Sequence, residues 1–288
     1  MSTFSIVCSL ILMCIALVTL YGRQYHSNSL QNCLPIIPTN DETPPIDVVF
    51  VSFGAGEVHL ANQDIQRKFN LQHNSFFSQT HYATPISLNA SYYNRLCPAL
   101  QSSKRGFFFW SWKPALILQA MDMTSPGSVV VYLDAGSYFK RNISILVQRA
   151  RRYGRVLFNN THTNAPHCKG TPVARHIPTI AGQNRFWNMK QLDASLMLFV
   201  NNPLNRSFLE VWLQWCLDYE LVSDSPTLDL ANNPKFKEHR HDQALLTIAA
   251  FNNPSGQMIQ SPLQKHYYTN HHRRRNISDP ISAGFWMI

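Results

Sequence analysis

Acidic side chains are scarce in this chain, so the few set in apolar surroundings narrow where chemistry can occur. There are 16 Asp and Glu against 25 Lys and Arg. Asp41, Glu42 and Asp47 fall in or beside a polar, proline-bearing stretch, and Asp218, Glu220, Asp224 and Asp229 crowd another, where solvation is the plain expectation. Glu210 faces away from the aromatic stripe of its helix. Among the other acids, Asp134, Asp193 and Asp242 stand out as embedded in apolar sequence. A carboxylate in such a place is costly unless it is paired, hydrogen-bonded or metal-bound.

Asp242 is the most informative of these. Leu245, Leu246 and Ala249 follow it at helical spacing, which puts its side chain on the inward face. His239, Arg240 and His241 are near enough in sequence to neutralise it. On the alternative reading, Asp242 and Gln243 open a helix into a cleft and hold a polyhydroxyl ligand. Asp134 ends the apolar run Val129–Leu133, with small Ala135 and Gly136 behind it. That run reads as a strand covered on both faces. Ligands of open α/β sheets bind at the carboxyl ends of strands; elsewhere, an Asp there serves as a cap or turn residue.

The elements that must position these residues alternate. Ile46–Phe53 reads as a first strand running into Gly54-Ala55-Gly56, a weak nucleotide-loop signal. Asp64–Leu71 reads as a helix, and Phe76-Phe77 as a short second strand. Trp112-Lys113-Pro114 starts a helix that is apolar on nearly every side and ends at Ser125-Pro126-Gly127. Asn142–Arg152 reads as a helix with Ile143, Leu146, Val147 and Ala150 inward. Asn159–Asn188 shows no period and reads as a long irregular lid or acceptor-side loop. Asp193–Val200 is a strand, and Asn202-Pro203 opens a helix whose Phe208, Val211, Trp212, Trp215, Cys216 and Tyr219 recur at helical spacing, with the aromatics as core. The alternation predicts an α/β fold with a parallel or mixed sheet.

Four segments are expected: a short tail at 1–3, an apolar signal anchor at 4–21, a proline-bearing stem at 22–45 and a catalytic domain at 46–288. Arg23 follows the anchor and nothing basic precedes it, so flanking charge orients it weakly. Glycosylation sequons at Asn89, Asn142, Asn159, Asn205 and Asn276 favour a luminal body. Cys33, Cys97, Cys168 and Cys216 are compatible with disulfides in any pairing, and their spacing suggests no zinc site. These features together predict a single-pass type II membrane protein of the secretory pathway, in the Golgi or the endoplasmic reticulum. The net charge of +9 is scattered rather than clustered and fits a diphosphate pocket or an anionic lipid surface. No nucleic-acid partner is expected.

The combination Phe109-Trp110-Ser111-Trp112-Lys113-Pro114, Tyr132-Leu133-Asp134-Ala135-Gly136 and His239-Arg240-His241-Asp242-Gln243 resembles a family of glycosyltransferases found in microbes and large viruses. It is more distantly similar to nucleotide-sugar transferases of the glycogenin and lipopolysaccharide-galactosyltransferase type. The likeness runs from about Ile46 to past Gln260. It implies a single Rossmann-like, GT-A-like nucleotide-diphospho-sugar transferase domain with a mixed sheet. It further implies transfer of a sugar from a nucleotide-sugar donor to a glycan or glycoconjugate acceptor.

In that family an Asp-x-Asp element holds a divalent cation, usually manganese, on the donor diphosphate. By position, Asp134 matches the first Asp, and Gly136 stands where the second would be. The resemblance therefore leaves three arrangements open. The metal is held by Asp134 with His271 or His272, or cations such as Arg273, Arg274 and Arg275 replace it, or the site is degenerate. It assigns Asp242 and Gln243 to the donor sugar and acceptor, and Trp112, Lys113, Asp134, Ala135, Gly136, Arg273 and Arg274 to the donor. A catalytically degenerate saccharide- or nucleotide-sugar-binding protein of the same fold is the alternative function.

Overall fold

A mixed sheet of six strands carries the fold, and its strand order creates a crevice at the strand ends. The computed structural model describes residues 47–102, 105–226 and 231–271. The predicted anchor, the stem, His272 and Arg273–Arg275 lie outside the described residues. The sheet is built from β1 (Val48–Phe53), β2 (Gln79–Ala83), β3 (Val129–Leu133), β5 (Arg155–Thr163), β6 (Lys190–Val200) and β7 (Met258–Gln260), in the order β2-β1-β3-β6-β5-β7. β1 is parallel to both β2 and β3, whereas β6 runs antiparallel to β3 and β5. β4 (Ser137–Phe139) and β8 (Thr269–His271) form a separate antiparallel pair.

Residues alternate across β1 and β3 as a pleated strand requires. Val49, Val51, Val130 and Tyr132 enter one core layer with the helices Trp112–Asp122, Pro203–Leu217 and His241–Asn252. Val48, Phe50, Val129 and Val131 enter the other with the helix Ser144–Tyr153. On β6 the alternation breaks. Leu192 and Ala194 lie in the first layer, but Leu196 and Leu198 lie in the second. The β5–β6 register is irregular beside this break, between Val156 and Phe158. Such an irregularity re-aims neighbouring side chains, here Asp193 and Ser195.

Several expectations change. The helix from Pro203 ends at Leu217, so Tyr219 falls beyond its stripe and is 45 % exposed, and Trp215 is only partly buried. The first helix spans Glu57–His73, longer than expected, and its buried face is Asn62, Gln63, Gln66 and Asn70. An amide face has no apolar period to read. Phe76 and Phe77 lie in a turn against Phe50, and the second strand begins at Gln79. The expected irregular loop after Asn159 is mostly regular: β5 continues to Thr163, and helices follow at Gly170–His176 and Ile180–Asn188. These helices are short, and Thr179 caps the second through Gly182 N, so neither is long enough to display a period. Cys97, Cys168 and Cys216 are free thiols, so no two of them are bridged. Asn205 is fully buried, and its amide donates to Gly154 O (2.8 Å) and Val200 O (2.9 Å). Its sequon is thus a structural amide, whereas Asn89 and Asn142 are exposed.

Candidate active site

The chain leaves β1 for β2 on one side and returns to β3 on the other, which makes the gap between β1 and β3 the point where the sheet's winding reverses. Ligands of such sheets bind outside the carboxyl ends of the strands at that point. A cleft of about 680 Å³ opens there, bounded by Phe53 and Ala55 after β1 and by Asp134, Ala135 and Gly136 after β3.

The Asp134 turn is held from every side. Asp134 N donates to Ser195 O, and Ser137 N to Asp134 O, each at 2.9 Å. The buried Gln66 amide donates to Asp134 O (2.8 Å) and Ser137 O (2.6 Å). Tyr132 donates its hydroxyl to Asp134 Oδ1; burial, then the Asp134 charge, holds that phenol well above its ordinary value. The Asp134 side chain remains 36 % exposed, an open carboxylate on the strand side of the cleft.

Lys113 lies behind it. The second residue of its helix, it points its buried ammonium between Asp134 Oδ1 (3.2 Å) and Asp242 Oδ2 (3.3 Å), and donates to Ala194 O at 3.2 Å. Burial pushes Lys113 down, but Asp134 and Asp242 outweigh it and the net shift is upward. Asp242 is itself buried, and its Oδ2 accepts no aligned hydrogen bond. Burial raises its carboxyl, Lys113 opposes this, Asp134 adds to it, and the group is pushed up to about 7. Trp212 Nε1 fixes the helix end by donating to Asp242 O at 2.9 Å.

The neutraliser of Asp242 is therefore Lys113, and not the adjacent histidines. His239 lies 2.9 Å from Leu221 O and accepts from Lys169 N, and His241 Nδ1 lies 2.8 Å from Val222 O. Burial lowers both imidazoles, so both sit neutral. Gln243 lines the cleft with its amide engaged: Nε2 donates to Gln191 Oε1 at 2.7 Å. A second ion pair, missed by the sequence reading, faces the same space. Lys265 Nζ contacts Asp193 Oδ2 at 2.5 Å and Ser195 Oγ at 3.0 Å. Burial pushes Asp193 up, but Lys265 and Ser195 outweigh it and hold the group below the ordinary carboxylate range.

The remaining wall is strained. Gly106, Phe107, Phe108, Phe109 and Trp110 have φ of 56°, 52°, 58°, 50° and 61°, a full left-handed turn. Left-handed backbone costs about 1–2 kcal/mol per non-glycine residue. The turn persists because Phe107, Phe108 and Phe109 are buried, Trp110 N donates to Gly106 O (3.0 Å), and the Trp112 indole donates to the same carbonyl (3.2 Å). A side chain at Gly106 would meet the Trp110 ring at 2.6 Å. Gly106, Phe107 and Trp110 all line the cleft.

Trp112, Lys113, Asp134, Ala135, Gly136, Asp242 and Gln243 thus come together around one cavity. β8 brings the backbone of His271 into register with Ser137; Arg273 and Arg274 lie outside the described residues. These residues do not by themselves fit a divalent cation. Asp134 Oδ1 is engaged by Tyr132 and Lys113, Asp242 Oδ2 faces Lys113, and Gly136 contributes no donor. No three His, Cys, Asp or Glu converge among the described residues. The gap at Gly136 is not steric: a Cβ there would meet nothing within 4 Å.

No family model matches the chain, and no curated protein matches it. Solved structures similar to it include apo mouse xyloside xylosyltransferase 1 (14 % identity, TM-score 0.39, covering 74 % of this chain and 85 % of that one). The apo WbbM bifunctional glycosyltransferase is similar at 8 % identity and TM-score 0.43, over 77 % of this chain and 40 % of that one. The Mn/GDP form of core-mannan synthase A from Aspergillus fumigatus is similar at 7 % identity and TM-score 0.41, over 81 % and 77 %.

Proposed function

We propose that this chain transfers a glycosyl group from a nucleotide-sugar donor to a hydroxyl of a glycan or glycoconjugate. The observation that carries the reading is the Lys113 ammonium joining Asp134 and Asp242, from two different elements, at the floor of a cleft at the sheet's winding reversal. Glycosyl transfer needs two polar functions set side by side: one to orient a departing diphosphate, and one to meet the hydroxyl that attacks the anomeric carbon and loses its proton. Asp134 is open to the cleft and fixed at its backbone, which suits it to accept hydrogen bonds from hydroxyls of the donor sugar, while the cleft-lining Lys265 is the cation available to the departing diphosphate. Asp242, with a carboxyl near 7, suits the acceptor side, where it can grip a sugar hydroxyl or take its proton. Lys113 keeps the two carboxylates in place without spending either on the other.

Manganese, with His271 as ligand, remains a separate proposal, tested by titrating the ion against a His271→Ala variant. Arg273 and Arg274 as diphosphate contacts, the anchor at 4–21, and a type II orientation in the secretory pathway belong to the same proposal. Loss of catalysis is a second reading, favoured by one observation: Gly136 offers no carboxylate where the resembling family has the second of its pair.

The test is Asp134→Asn in the full-length protein, screened with nucleotide-sugar donors. Donor turnover should vanish while the melting temperature stays within a few degrees of wild type. Full turnover in the variant would sink the assignment, and binding without turnover in the wild type would select the second reading.

A further inference from the structure

The fold gathers on one surface part of the basic charge that is scattered along the sequence. No Asp or Glu stands between Asp134 and Asp193, or between Asp242 and Asp279. These stretches supply the helices Ser144–Tyr153 and Pro262–Tyr268, which pack in the second core layer through Leu146, Val147, Ala150 and Tyr268. With that face turned to the sheet, Ile145, Arg149 and Arg152 follow at four and three residues on the outer side of the first helix. On the second, Leu263 and Tyr267 stand one turn apart, 79 % and 53 % exposed. The two rows are joined. The Arg141 guanidinium lies 4.4 Å from the centre of the Tyr267 ring, and Arg149 Nη1 donates to Gln260 Oε1 (3.0 Å) and Gln264 Oε1 (2.8 Å). Lys140, Arg141 and Arg152 are exposed, and neither they nor Arg149 form an ion pair among the described residues.

We infer that this surface docks on an anionic lipid bilayer. Single exposed apolar residues are ordinary; here Ile145, Leu263 and Tyr267 are interleaved with cations that no acid neutralises. A polyanionic glycan would engage the cations and leave Leu263 and Ile145 in water. A bilayer engages both. Its anionic headgroups meet Lys140, Arg141 and Arg152, while Ile145, Leu263 and the Tyr267 ring enter the boundary between headgroups and acyl chains. The attachment of the chain agrees. The described body begins at Asp47, whose carbonyl accepts from Val129 N at the start of β3. Val129 pairs with Val200, and Arg155 with Phe199. The helix Ser144–Tyr153 therefore ends at the same end of the sheet where residues 1–46, with their apolar run at 4–21, join the body. Pro262–Tyr268 also turns Lys265 into the cleft, so docking sets how the cleft faces the lipid.

The experiment places the photo-crosslinking residue benzoylphenylalanine at Leu263 or at Ile180 in the full-length protein. Each is combined with vesicles of phosphatidylcholine, alone or with phosphatidylserine at about 7:3. Ile180 is the control: it is 77 % exposed, on a helix whose Phe186 packs in the other core layer. In anionic vesicles Leu263 should capture roughly fivefold more lipid than Ile180. That excess should vanish in phosphatidylcholine alone, and in a variant carrying Lys140→Glu, Arg141→Glu and Arg152→Glu. The comparison of lipids needs no charge variant, so it stands even if the triple variant does not fold. Equal capture at the two positions, or capture at Leu263 indifferent to phosphatidylserine, would overturn the inference. Retention on heparin that the charge reversals abolish, without excess lipid capture, would replace the bilayer by an acidic glycan. A glycan found on Asn142 would also overturn it. That exposed residue accepts from Ser144 N (2.8 Å) beside Arg141, and a glycan there would hold the surface off the lipid.

Discussion

The ammonium of Lys113 stands 3.3 Å from the buried carboxylate of Asp242, and this contact joins the start of one helix to the start of another across the end of the sheet. Its removal should be expensive, because two carboxylates then face each other without a cation. Lys113→Met should destabilise the fold by about 3–5 kcal/mol. In Lys113→Met with Asp242→Asn much of that loss should return, since the stranded charge is gone. Urea unfolding of the two single variants and the double variant checks this; strictly additive losses would refute the pairing.

Asp242 should tie activity and stability to pH in opposite senses. Its carboxyl is raised from 3.8 to about 7 in the folded protein. The folded state thus binds this proton more tightly than the unfolded chain, so its contribution to stability is complete below pH 4 and disappears as pH rises through 7. The form able to accept a proton from an acceptor hydroxyl appears over the upper part of the same interval. Turnover should rise through pH 7 as this share of stability falls, and Asp242→Asn should flatten both. Melting curves and initial rates from pH 5 to 8.5 measure the two together.

Gly136 offers a direct gain-of-ligand test. Its backbone is not in the left-handed region, and a side chain would point into open space. Gly136→Asp should fold with a melting temperature near that of wild type. A second carboxylate two residues from Asp134 should strengthen manganese binding at least tenfold, read by electron paramagnetic resonance or calorimetry. An unaltered manganese affinity would show that the turn does not aim residue 136 at the place Asp134 faces.

The left-handed turn makes a sharper demand. Gly106→Ala adds a methyl where φ is 56° and the Trp110 ring lies within 2.6 Å, so it should cost about 2 kcal/mol or more. Donor affinity should fall with it, because the ring it displaces is part of the cleft wall. Thermal unfolding with and without nucleoside diphosphate separates the two effects.

Gln66 should act on the site without touching a ligand. It donates to the carbonyls of Asp134 and Ser137, and Gln66→Leu frees that turn. The KM for donor should rise severalfold with a smaller change in kcat, since the carboxylate is still present but less well aimed.

The sequence by itself determined the elements whose burial has a period. The apolar run ending on Asp134, the helix from Trp112, the Asn202-capped helix and the inward face of Asp242 are all local consequences of residue order, and the structure keeps them. That the three quoted motifs share one site was an expectation drawn from the resemblance and from no local pattern. Tertiary structure alone decided the partners. Asp242 is neutralised by a distant lysine and not by the histidines beside it, because His239 and His241 are already turned to the carbonyls of Leu221 and Val222. Lys265 meets Asp193 only because β6 breaks its alternation there. The amide face of the first helix carries no hydrophobic signal to read. The physical reason is common to all of these: periodicity fixes which way a side chain points, but a charge or an amide is satisfied by whatever the folded chain brings within 3 Å or so, and that is a property of the topology.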